Sequence, residues 1–169
     1  IYGPGFYYVN SGGDERALWE DAKSQAEKLE NEWPYSWMQH EWFPVQRGRV
    51  TGKLALPGGE PARGTWIILS PPGINWSLET KGYHFWTKTD ENGDFVIGDV
   101  RSGTYDLFAV GANQFHEYKR AEIAVNASST TSLGTFVWKP VTHGKTIWQI
   151  GVADRSSGEF RNGDDYRHW

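Results

Sequence analysis

Five histidines, at positions 40, 84, 116, 143 and 168, are the first candidates for proton or metal chemistry in this chain. None are paired at metal-ligand spacing, and there is no HExxH run. His84 and His116 are the candidates for a base, although a lone histidine also serves as surface or hydrogen-bonded structure. Asp90, Asn92 and Asp94 offer clustered hard oxygens of the kind a calcium ion takes. Gly93, however, falls at the wrong place for a helix–loop–helix calcium loop, and no glutamate occupies its twelfth position. The cluster instead reads as a tight hairpin turn in which Gly93 supplies a positive φ. The chain has no G-x-S-x-G elbow and no phosphate-binding Walker loop. Gly3-Pro4-Gly5 and Gly58-Gly59 read as turns, and Glu20-Asp21 as the surface of a helix. A glycosidase needs two carboxylates on opposite sides of a groove, and the sequence singles out no such pair. No catalytic residue, metal ligand or cofactor is assigned.

The remaining candidates are aromatic, cationic or modifiable. Ten tryptophans, eight tyrosines and eight phenylalanines make up 15% of the residues. An indole stacks on the apolar face of a sugar and fills a core equally well. Trp37, Trp42, Trp76 and Trp86 are therefore candidate sugar platforms, with core or interdomain packing as the competing account. Trp76 is the one assigned to carbohydrate, because Asn75 and Ser77 flank it in a Pro-Gly-rich loop. Lys53, Lys81, Lys88, Arg63 and Arg101 could attract an acidic polymer, but nothing in the sequence converges them. Asn75-Trp76-Ser77 and Asn126-Ala127-Ser128 fit the glycosylation sequon, making Asn75 and Asn126 candidate acceptors in expected loops.

A chain of 169 residues has room for one ordinary domain plus flanking pieces. It contains no cysteine, which rules out disulfides and thiolate chemistry within it but not secretion. Seventeen basic against 21 acidic residues give a formal net charge of −4, with no basic block that would suggest nucleic acid. No apolar run approaches the roughly 18 residues a membrane-spanning helix needs. The ends, Ile1-Tyr2-Gly3-Pro4 and Tyr166-Arg167-His168-Trp169, read as cuts through a larger protein.

The elements that must position these residues follow from periodicity. Residues 1–10 read as a strand in need of a partner, with Phe6 and Tyr8 on one face. Asp14 to about Glu32 reads as a helix, with Leu18, Ala22, Ala26, Leu29 and Trp33 forming an apolar stripe. Asp14 is placed to cap its N-terminus, Lys23 and Glu27 to pair along it, and Pro34 to end it. Residues 33–44, crowded with aromatics, read as an ordered crossing. From Arg47 the period changes to two. Val50 to Leu56, Thr65 to Ser70, Tyr83 to Thr89, Phe95 to Ile97, Thr104 to Gly111, Ala121 to Val125 and Thr131 to Trp138 give about seven strands. Seven short strands separated by turn signals predict two antiparallel sheets packed face to face. Thr146 to Val152 reads as one further strand.

At Trp33-Pro34-Tyr35-Ser36-Trp37 the sequence becomes more specific. With Phe6-Tyr7-Tyr8-Val9-Asn10-Ser11-Gly12 and Leu18-Trp19-Glu20-Asp21-Ala22, it resembles the rhamnogalacturonan lyases of polysaccharide lyase family 4. Thr89-Asp90-Glu91-Asn92-Gly93-Asp94-Phe95 through Val100-Arg101-Ser102-Gly103-Thr104-Tyr105 is similar to that family's middle domain. Ile147-Trp148-Gln149-Ile150-Gly151, Asp154-Arg155 and Glu159-Phe160 resemble the opening of its third domain. The resemblance spans nearly the whole chain. It implies a mainly β fold, with residues 1–38 the end of a catalytic β-sandwich and 39–46 an interdomain crossing. Residues 47–140 would be a fibronectin type III-like antiparallel sandwich, and 146–169 the start of a jelly-roll, carbohydrate-binding-like domain. The family cleaves the rhamnose–galacturonate backbone of pectin by β-elimination. Its proposed catalytic lysine and histidine lie upstream and match no residue here.

The resemblance thus implies the noncatalytic middle portion of a secreted, extracellular rhamnogalacturonan endolyase, inactive by itself. Its partners would be pectic polysaccharide, met through the intact enzyme, and the neighbouring catalytic and C-terminal segments, with no nucleic acid and no membrane. Trp33, Trp37, Trp42 and Phe43 would pack between domains. Two other readings stand beside this one: a freestanding carbohydrate-binding module using Trp76, and a protein-interaction or glycan-transport sandwich.

Overall fold

A computed structural model describes residues 5–111, 114 and 116–148. The chain divides into two compact units, residues 1–46 and 47–169.

The first unit is built on helix α1, Glu15–Glu32. Asp14 caps it, its Oδ1 accepting the Ala17 N–H at 2.9 Å, and Glu15 adds a favourable charge at the positive end. The helix ends with Trp33 in extended backbone just before Pro34, where the ring disfavours further helix. Leu18, Ala22, Leu29 and Trp33 are half-buried, Ala26 is exposed, and no helical residue is fully buried. Lys23 pairs with Glu20 at 2.8 Å instead of the expected Glu27. The i,i+3 contact competes with i,i+4, and a Glu preceding its Lys is the better orientation. Residues 5–10 carry no strand. Their polar side chains bind α1 instead: the Tyr8 hydroxyl donates to Asp21 Oδ2 at 2.7 Å, and Asn10 Nδ2 bonds Asp21 Oδ2 and the Leu18 carbonyl. The Tyr8 bond holds the exposed Asp21 carboxyl below its ordinary range, with Asn10 adding to the effect.

Among its described residues the second unit contains seven strands: β1 Gly48–Ala55, β2 Trp66–Ser70, β3 Phe85–Lys88, β4 Asp94–Val100, β5 Gly103–Val110, β6 Tyr118–Val125 and β7 Thr130–Val137. They form a fibronectin type III-like sandwich of a three-stranded sheet, β4-β1-β7, and a four-stranded sheet, β3-β2-β5-β6. All pairings are antiparallel except β1 with β7, which run parallel from Arg49 opposite Thr130 to Ala55 opposite Val137.

Alternation along the strands builds the core. Ile67 and Leu69, Phe95 and Ile97, Tyr105, Leu107 and Ala109, and Ile123 and Val125 meet Val50, Leu54, Phe136 and Trp138 between the sheets. Each large aliphatic chain buried this way contributes roughly 1.5–3 kcal/mol. Gly52 sits within this alternation because the Phe95 ring crosses it, and a Cβ there would strike that ring. The Asp90–Asp94 turn forms as expected. The Asp90 Oδ1 accepts the N–H groups of Asn92 and Asp94, both at 2.8 Å. Gly93 takes φ of 80° with no room for a side chain beside the Leu54 carbonyl.

The outer face of the four-stranded sheet is also covered. Ile68, Phe108 and Val110 are buried there beneath Trp76, which comes from the loop between β2 and β3. Residues 141–148 carry no strand. The rest of the strand expected over 146–152, the third-domain motifs beyond Trp148, His168 and the opening residues 1–4 lie outside the described residues.

Candidate functional site

The loop carrying Trp76 is organised by two carboxylates. Glu117, just before β6, accepts the Asn75 amide at Oε2 (2.8 Å) and the Trp76 indole N–H at Oε1 (3.2 Å). Asn75 Oδ1 in turn accepts the N–H and the hydroxyl of Ser77, closing a tight turn on itself. Trp76 is half-buried, with its ring against Ile68, Phe108 and Val110. Asp106 is the second carboxylate and only 3% exposed. It pairs with Lys119 at 2.8 Å and accepts the backbone N–H groups of Gly73 and Glu122. Burial by itself would raise its pKa, but Lys119 and the two N–H groups outweigh that and hold it below the ordinary carboxylate value.

Beside this loop the sheet face is aromatic out to its β3 edge. Trp66 and Trp86 lie with ring centroids 6.1 Å apart. Lys88, opposite Trp66 in the ladder, holds its Nζ 4.3 Å over the Trp66 ring. The other expected cations are dispersed: Lys53 pairs with Asp94, Arg63 with Glu91, Arg101 sits over the Tyr83 ring, and Lys81 is exposed in the loop between β2 and β3.

The first unit has an aromatic cluster of its own. Phe6 meets Tyr35 and Trp37 edge-on, Trp33 meets Tyr35, and Tyr35 stacks on Trp37 at 5.3 Å. Trp42 and Phe43 gather around His40, whose Nδ1 accepts the Trp42 N–H. Trp37 remains 60% exposed and Trp42 46%.

His84 is half-buried, while His116 and His143 approach each other with Nε2 atoms 3.0 Å apart. Among the described residues, no three or more His, Asp or Glu side chains could hold a metal ion. No helix among them is long and apolar enough to cross a membrane. Asn126 is exposed in the turn between β6 and β7, whereas Asn75 is half-buried with its amide on Glu117.

Sequence reasoning passed over Asp106, Glu117 and the pairing of Trp66 with Lys88. The first stood in plain view as one acid within the buried run Tyr105–Val110. The other two depend on strand register, which has no local signal.

Comparison with known proteins gives this geometry a context. Residues 46–133 match polysaccharide lyase family 4, domain II. The chain is 32% identical over 171 residues to a rhamnogalacturonate lyase of Dickeya dadantii, covering all of this chain and 28% of that protein. It is 34% identical to rhamnogalacturonate lyase B of Emericella nidulans, over 96% of this chain and 26% of that one. A probable rhamnogalacturonate lyase B of Aspergillus niger is 30% identical, over 96% and 24%. The chain therefore spans about a quarter of the length of these curated relatives.

Proposed function

The chain belongs to polysaccharide lyase family 4, and from that premise we propose that it is the noncatalytic middle portion of a secreted rhamnogalacturonan endolyase. The observation that carries this reading is a coincidence of boundaries. The stretch matching domain II, 46–133, and the seven-stranded sandwich, 48–137, are nearly the same residues. In the parent enzyme, β-elimination removes the C5 proton of galacturonate, forms the C4–C5 double bond and expels the oxygen at C4, which leaves as a hydroxyl after protonation. That reaction needs a base within hydrogen-bond reach and a cation to neutralise the uronate. Lys53, Arg63, Lys88, Arg101 and Lys119 are each held in an ion pair or a ring contact on separate elements, which supports placing the chemistry in other sequence.

The role of this portion is to join and orient its neighbours. Residues 1–38 close the catalytic domain, 39–46 cross over, and 146 onward opens a carbohydrate-binding-like domain. The exposure of Trp37 and Trp42 supports their use, with Trp33 and Phe43, in packing between domains. Asn126, exposed in a turn, is the better-placed acceptor for glycan, and Asn75 the second.

The test is an activity assay on rhamnogalacturonan I that follows absorbance of the unsaturated uronate. The isolated chain is expected to form no product, while a longer chain containing it forms product readily. Product from the verified 19.2 kDa chain alone overturns the assignment and sends the search for a base to His84, His116 and the lysines.

A further inference from the structure

The outer face of the four-stranded sheet ends, at its β3 edge, in side chains that neither core uses. Trp86 is 65% exposed and Trp66 38%. Their rings are tilted by 50° at 6.1 Å. Trp86 and Lys88 are two residues apart on one strand, so they share a face at a spacing of about 7 Å. Lys88 lies over Trp66 at 4.3 Å and makes no salt bridge among the described residues. The nearest acid along the chain, Asp90, has turned its carboxylate into its own hairpin. The result is a flat apolar ring in water, with an ammonium that no salt bridge among the described residues neutralises about one sugar's width away. A neutral sugar needs only the ring. A uronic acid residue uses both, its C–H face on the indole and its carboxylate on the ammonium.

We propose that Trp86, Lys88 and Trp66 form a binding platform for an acidic glycan at the β3 edge. Trp86 stacks on a sugar ring, Lys88 pairs with the uronate carboxylate, and Trp66 steers Lys88 by cation–π attraction. This deepens the proposed function, which supplies the acidic pectic chain as the ligand. The platform is separate in role from Trp76, whose ring lies on Ile68, Phe108 and Val110 and whose N–H is bound to Glu117. Although the whole chain carries a net charge of −4, attraction at this edge is set by the local lysine, because charges beyond about 8–10 Å are screened at physiological salt.

The experiment is affinity electrophoresis of the chain through gels containing rhamnogalacturonan I, either native or carboxyl-reduced, with folding of every variant checked by circular dichroism and thermal melting. The wild-type chain should be retarded by the native polymer more than by the reduced one. Trp86→Ala should weaken binding to both polymers at least tenfold. Lys88→Ala should weaken binding about tenfold to the native polymer alone, and Trp66→Ala should follow Lys88→Ala in part. The proposal falls if the wild-type chain is not retarded, or if folded Trp86→Ala and Lys88→Ala bind undiminished. It falls too if Trp76→Ala abolishes binding and Trp86→Ala does not. Hydroxyl-radical footprinting of a longer chain containing this segment provides a further check. Protection of Trp86 without glycan would make this edge a protein interface and overturn the proposal. Any of these failures leaves the lyase reading standing, since that reading is judged by product formation alone.

Discussion

Asp106 is an acid in a row of buried apolar residues, and its ionisation links a single side chain to the stability of the sandwich. The folded protein holds its pKa below the unfolded value of about 3.9. Its contribution is therefore complete above about pH 4 and is lost as pH falls through the lower folded value. Asp106→Asn should cost on the order of 2 kcal/mol at pH 7, because the charge-assisted bond to Lys119 is lost and the Gly73 and Glu122 N–H groups meet a weaker acceptor. The gap between wild type and variant should narrow as pH falls below about 4, because the unfolded chain takes up its proton there while the folded carboxyl does so only at its lower value. Urea midpoints at pH 7 and pH 3 check both statements, and an undiminished gap at pH 3 would show that Asp106 acts through shape instead of charge. Legibility at this scale follows distance along the chain. The Asp90–Asp94 turn was readable because its donors and acceptors lie within five residues. The partners of Asp106 come from a loop 33 residues earlier and a strand 13 to 16 later, and no local pattern announces them.

At the scale of elements, strand periodicity survived into the structure and edge strands did not announce themselves. All seven strands of the second unit fall on the stretches read as strands, since most of them bury a face in the core and a slip would turn that face to water. Residues 5–10 show the same aromatic richness without a strand partner, and their polar side chains turned to the helix instead. Helix α1 buries no residue fully, so its own local terms weigh more than in a core helix. Asp14→Ala should destabilise it by about 1 kcal/mol, and Asp14→Ser should restore most of that. Hydrogen exchange checks this directly, since amides of the first helical turns should exchange about fivefold faster in Asp14→Ala. Unchanged exchange there would mean that tertiary contacts, and not the cap, hold this end.

For the whole molecule, two packed sheets were legible, but the order of strands within them was not. Turn signals state where a strand ends and leave open which strand it meets; β1 lies beside β7, the strand farthest from it along the second unit. That one parallel pairing has a mechanical consequence. Because β1 and β7 run the same way, the chain enters the sandwich at Gly48 at one pole and leaves at Val137 at the other. A pull applied at these two points lies along the paired strands. It loads their inter-strand hydrogen bonds together, in shear, and does not peel them one at a time. Stretched from residues 47 and 138 in single-molecule force spectroscopy, the sandwich should rupture in one step. Its rupture force should be well above that of the same module stretched across the antiparallel β5–β6 hairpin, and equal forces in the two directions would refute it. On that expectation the sandwich is a tension-bearing coupling: a load applied at one pole reaches the other through bonds that share it, and neither end is peeled away first.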